Sequence, residues 1–131
     1  GMELMANSDN VLRGGLTPKH VDVPELLQVL SFEVRDTEIL HPRKISLYES
    51  RYATPAKEFV LSLISVRPKM GDAIFSPEGV EILLCTDGSA TIWDKEHKIT
   101  IRKGTSLMVP AAVPEYGIKG DAVFYKASVP I

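Results

Sequence analysis

Arg13, Gly14, Gly15 and Lys19 are the residues whose types and order can do chemistry. The planar guanidinium of Arg13 can grip an oxyanion through two parallel hydrogen bonds, and Lys19 adds a compact point charge. The two glycines behind Arg13 let a ligand approach the backbone closely. Such an assembly suits a phosphorylated or enolisable substrate. The competing reading of the same residues is an exposed arginine beside a turn.

The other reactive residue types are scattered. His20, His41 and His97 are separated by 21 and 56 positions, which gives no pair at helical or strand spacing, so each reads as a loop or surface residue. Cys85 falls in the apolar run Ile82-Leu-Leu-Cys85 and reads as a small buried hydrophobe, since no nearby base would lower its pKa. Trp93 and Tyr116 can stack on a sugar face, but buried aromatics of a barrel core are the simpler expectation.

Composition limits what these residues can serve. The chain has 131 residues, 44% of them hydrophobic, enough for one domain with a core. Its 15 Lys plus Arg against 17 Asp plus Glu give a formal charge of -2, which argues against nucleic acid and anionic membranes as partners. A single cysteine excludes an internal disulfide and any thiolate zinc cluster. With no apolar run of bilayer length and no secretory layout at the N-terminus, a cytoplasmic location is expected. Gly1 ahead of Met2 reads as the scar of a removed tag and is set aside from the fold.

The elements that must position these residues are mostly strands. Twelve valines and ten isoleucines, punctuated by nine glycines and nine prolines, favour many short strands. One helix is expected at 23–30: Asp22-Val-Pro-Glu25 matches a capping box, Pro24 suits a first turn, and Leu26, Leu27 and Leu30 share a face. Strands are expected at Ile45–Leu47, at Phe59–Val66 with cover on both sides, at Ile74-Phe75 and at Glu81–Cys85. Asp87-Gly88 signals a hairpin turn over 86–89. Thr91–Trp93 and Lys98–Arg102 pair across 94–97, Ser106–Val109 and Ala122–Lys126 follow, and Tyr52–Pro55 reads as loop. Short strands in a chain of this length protect their edges by closing or stacking, which predicts an all-β sandwich or jelly-roll barrel.

Six residues separate Glu81 from Gly88, and five separate Gly104 from Pro110. The second half of the chain thereby resembles a cupin, with Lys103-Gly104 as a turn and Pro110 at a strand exit. Metal-binding cupins carry a His-x-His pair ahead of the position of Glu81 and a later His beyond that of Pro110. Here Ile74, Ser76 and Glu115 stand at those places and Ala112 replaces a usual glycine, so the barrel is expected to be metal-free. The run from Met5-Ala-Asn-Ser-Asp-Asn-Val-Leu-Arg13 through Gly-Gly-Leu-Thr-Pro-Lys19 to Leu26 resembles the signature of type I mannose-6-phosphate isomerases, in which it precedes a short helix and a C-terminal cupin barrel.

That resemblance implies a cupin-like jelly roll with one short N-terminal helix. Residues 1–30 would form the signature segment and helix and 31–131 the metal-free barrel, in one compact domain overall. It implies interconversion of mannose 6-phosphate and fructose 6-phosphate by a zinc enzyme in which the metal polarises the carbonyl. Arg13 would be the active-site arginine that stabilises the developing enediolate, Glu3 a carboxylate that supports proton transfer, and Lys19 a contact near the phosphate. The family's zinc ligands, a Gln, a Glu and two His, match positions ahead of Glu3. The chain is therefore expected to hold no metal or other cofactor itself, to need a zinc-binding N-terminal half as partner, and to be inactive alone. Loss of the neighbours of a Glu3 strand would leave an edge open to self-association. Two alternatives stand beside this reading. One is a stand-alone metal-free cupin that binds a sugar phosphate or a protein partner without catalysis. The other is a sugar epimerase, for which His97 in a turn is a poor catalytic candidate.

Overall fold

Alternation of apolar and polar residues over two long segments builds the centre of the fold. In the computed structural model, which describes residues 1–7, 11–34, 36 and 39–130, these segments are the two thirteen-residue strands β5 (Glu81–Trp93) and β8 (Tyr116–Ser128). They pair antiparallel from Glu81↔Ser128 to Trp93↔Gly117. Around them lie β1 (Arg43–Lys44), β2 (Glu49–Arg51), β3 (Val60–Val66), β4 (Ala73–Phe75), β6 (Lys98–Arg102) and β7 (Ser106–Val109). The strand order is β1-β2-β3-β8-β5-β6, with β4 on β8 and β7 on β5. This is the expected mainly β, cupin-like architecture, and no helix among the described residues is long and apolar enough to cross a membrane. The chain divides into two units, Gly1–Leu4 with Leu40–Ile131, and Met5–Ile39.

The inward faces of β3, β5 and β8 supply Ile64, Val66, Leu83, Ile118 and Phe124, all essentially inaccessible to solvent. Along β8, residues 116, 118, 122, 124 and 126 point inward, as a period of two requires. On β5 the inward residues are odd-numbered up to Cys85 and even-numbered at Ala90 and Ile92. A bulge between Cys85 and Asp87 makes the switch, because one extra residue moves all later side chains to the other face.

That bulge corrects one expectation. Asp87-Gly88 is no hairpin turn, since β5 runs unbroken through residues 86–89 while remaining paired to β8. The positive φ of 72° expected for such a glycine is present at Gly88, but it serves a bend in a strand. The bend lets β5 pair β7 with one half and β6 with the other. The chain reverses instead at 94–97 and at Lys103-Gly104, as expected for those two turns, with φ 87° at Gly104.

Three further expectations change. Ile45–Leu47 is the connection between β1 and β2, because the Ser46 hydroxyl accepts the N–H groups of Tyr48 and Glu49 and closes a local turn. β3 is not covered equally on both sides: Ser62, Ile64 and Val66 are buried, while Leu61, Leu63 and Ser65 are half-buried. Residues 1–7 form no strand, so Glu3 does not lie on the strand expected there.

In the Met5–Ile39 unit the helix α1 (Val23–Val29) forms where expected. The Asp22 carboxylate accepts the Glu25 N–H at 3.1 Å, Pro24 occupies the first turn, and the Leu30 N–H closes on Leu26. No residue of α1 is buried: Leu26 is half-buried and Leu27 and Leu30 are exposed.

Candidate functional site

Each unit carries one constellation of charged residues. In Met5–Ile39, Arg13 is half-buried and Lys19 exposed. Gly15 between them has φ 75°, and nothing lies within 4 Å of the place where a Cβ would be, so this glycine keeps both the backbone turn and the space beside it open. The Thr17 hydroxyl accepts the Lys19 N–H at 3.2 Å and fixes the backbone ahead of α1. No carboxylate among the described residues of this unit forms an ion pair with Arg13 or Lys19. Two cations on one short segment, with no ion-paired carboxylate among the described residues, suit an anionic ligand. Ser8, Asp9 and Asn10 of the signature lie outside the described residues. Glu3 is exposed and belongs to the other unit.

The second constellation lies inside the barrel and is one that the sequence reading passed over. Glu49 on β2, Glu81 on β5 and Lys126 on β8 are each at least nine-tenths buried. The Lys126 ammonium is 3.0 Å from Glu81 Oε1 and 3.1 Å from both oxygens of Glu49. Its approach to Glu49 Oε2 is a hydrogen bond and its approach to Oε1 an ion pair. The Tyr116 hydroxyl donates to Glu81 Oε2 at 2.7 Å. Burial first, and then the Glu81 carboxylate that needs the proton, push the Tyr116 phenol far above its ordinary pKa. Tyr116 stacks on Phe75 with ring centroids 5.3 Å apart, and the ammonium sits 5.6 Å from the Phe75 centroid.

The available signal for this network was parity. Lys126 continues the inward series of Ala122 and Phe124, a position where an unpaired charge is not tolerated. Glu81, noted only for its spacing to Gly88, opens the inward series of β5.

Tyr116 is a buried core aromatic, as expected. Trp93 is half-buried, its ring so close to Gly117 that an added Cβ there would lie 2.2 Å away. Cys85 is buried, and desolvation pushes its thiol pKa up, in keeping with a small hydrophobe. His20 and His41 are exposed, and His97 lies in the 94–97 turn with Nδ1 3.2 Å from Asp94 Oδ1. Backbone N–H groups of Glu96 and His97 hold the Asp94 carboxyl below its ordinary pKa. Among the described residues no group of three or more His, Cys, Asp or Glu is placed to hold a metal. The two buried carboxylates already share the Lys126 ammonium, so these residues do not fit a resident zinc ion.

Comparison with known proteins agrees with the architecture. The family described as mannose-6-phosphate isomerase, cupin domain, matches residues 52–128. Mannose-6-phosphate isomerase of Escherichia coli (strain K12) is 34% identical over 120 residues, which are 91% of this chain and 30% of that protein. Mannose-6-phosphate isomerase 1 of Arabidopsis thaliana is 36% identical over 111 residues, 84% of this chain and 26% of that protein. The crystal structure of mannose 6-phosphate isomerase from Salmonella typhimurium bound to substrate (fructose 6-phosphate) and zinc superposes with a TM-score of 0.83 at 30% identity. The superposition covers 97% of this chain and 32% of that one. A zinc-bound mannose 6-phosphate isomerase gives a TM-score of 0.81 at 27% identity. The chain thus spans about 30% of the length of the curated relatives it matches, at their C-terminal portion.

Proposed function

The chain belongs to the mannose-6-phosphate isomerase cupin-domain family, and we propose that it is the cupin-bearing C-terminal portion of such an isomerase, acting on a sugar phosphate in the cytoplasm. The observation that supports this most is the superposition of nearly the whole chain onto one third of a relative that holds fructose 6-phosphate and zinc. Moving a proton between adjacent carbons of an aldose or ketose phosphate builds negative charge on the enediolate oxygens. Arg13, a fixed cation with no ion-paired carboxylate among the described residues, stabilises that charge as it develops. Lys19 answers the phosphate, and Glu3 supports the proton transfer.

The polypeptide that supplies the zinc site is the required partner, and the chain by itself is inactive. The alternative of a stand-alone, non-catalytic cupin has no observation that favours it over this reading.

The test is a chimera in which this chain replaces the matching portion of the Escherichia coli relative. We expect the zinc-loaded chimera to isomerise mannose 6-phosphate and the chain alone not to. Arg13→Ala in the chimera should lower kcat by a factor of about 100 or more, the usual loss for one transition-state donor. Turnover by the chain alone, or a chimera indifferent to Arg13→Ala, overturns the reading.

A further inference from the structure

A cation that stabilises a developing anion acts only if it is held in place before the charge appears. The backbone beyond Arg13 offers little restraint of its own, because Gly14 and Gly15 follow and glycine has the widest conformational freedom of any residue. Apart from chain neighbours, nothing among the described residues comes within 4 Å of the place where a Cβ of Gly15 would stand. At Gly14 one atom does. It is Leu26 Cδ2, at 3.5 Å, an ordinary van der Waals contact.

Leu26 is the half-buried residue of α1, and the other six residues of the helix are exposed. A seven-residue helix has little stability of its own in water. Local hydrogen bonds pin this one around Leu26. The Asp22 carboxylate accepts the Glu25 N–H, the Leu26 N–H donates to the Asp22 carbonyl at 2.9 Å, and the Leu26 carbonyl accepts the Leu30 N–H at 3.0 Å. The side chain held in this way meets the residue next to Arg13. With the Thr17 hydroxyl accepting the Lys19 N–H, the contact closes residues 14–26 into a loop that has Arg13 at its base and carries Lys19 along it.

We propose that Leu26 is a positioning residue for Arg13: packed on Gly14, it restrains the two-glycine backbone and so fixes the direction of the guanidinium. Its part in catalysis rests on the isomerase reading, whereas the restraint on Gly14 does not.

Two measurements test it. In the chimera, Leu26→Ala should lower kcat for mannose 6-phosphate about tenfold and change KM by less than about twofold, the pattern of a displaced transition-state group. Leu26→Met, which keeps the bulk, should recover most of that loss. With Arg13→Ala already present, Leu26→Ala should cost less than about twofold more, because the group it positions is gone. No loss on Leu26→Ala, or an equal loss with and without Arg13, overturns the proposal. On the isolated chain, the backbone ¹⁵N order parameters of Gly14 and Gly15 should fall on Leu26→Ala from about 0.85 toward 0.6. Unchanged order parameters overturn the proposal whether or not the chimera turns over. A chimera without turnover overturns the isomerase reading and the catalytic role with it, while the relaxation measurement decides the restraint on Gly14 by itself.

Discussion

At the scale of single residues, Lys126 is the one on which the barrel interior depends. Its ammonium is the only positive group within ion-pair distance of Glu49 and Glu81 among the described residues. Lys126→Ala would leave two carboxylates buried without compensation and should cost about 3–5 kcal/mol by urea unfolding at neutral pH. A loss below about 1 kcal/mol, the size expected of an exposed ion pair, would contradict this account.

Tyr116 supplies the alkaline counterpart. Its pKa is raised in the folded state, so the stability it contributes is fully present below the unfolded tyrosine value of about 10 and falls as pH rises above it. Tyr116→Phe should be less stable at neutral pH but show a shallower alkaline decline, measured by thermal unfolding across pH 8–11. A decline as steep as that of the native chain would show that the phenol has no such role.

At the scale of elements, the legible features were those set by local chemistry. Asp22, Pro24 and Glu25 specify the start of α1 within four residues, and the structure places it there. The turns at 94–97 and Lys103-Gly104 were likewise readable. What escaped depended on partners distant in sequence. Asp87-Gly88 has the composition of a hairpin turn, but pairing of the same residues to β8 overrides that local preference and makes a bulge. Ile45–Leu47 has strand composition, yet the Ser46 hydroxyl captures the local backbone.

Two glycine substitutions separate backbone conformation from packing. At Gly88 an added Cβ would lie 2.0 Å from the Asp121 carbonyl oxygen, whereas at Gly15 it meets nothing within 4 Å, although both residues have positive φ. Gly88→Ala should therefore destabilise by about 3 kcal/mol or more, and Gly15→Ala by about 1 kcal/mol. Comparable losses in chemical unfolding would contradict the assignment of Gly88 to a packed bulge.

At the scale of the whole molecule, the signature segment and the strand pattern pointed to the same family, and the match over residues 52–128 agrees. The roles of Arg13, Glu3 and Lys19 came from resemblance and are a proposal. The buried network was hidden because a lysine and two glutamates are ordinary surface residues until the register of β2, β3, β5 and β8 turns them inward together.

The proposed function makes this chain a cationic part of an isomerase whose zinc is held by other residues. Equilibrium dialysis of the purified chain against zinc at neutral pH, followed by elemental analysis, tests it most directly. The account predicts far less than one zinc per chain; one tightly held zinc per chain would contradict it.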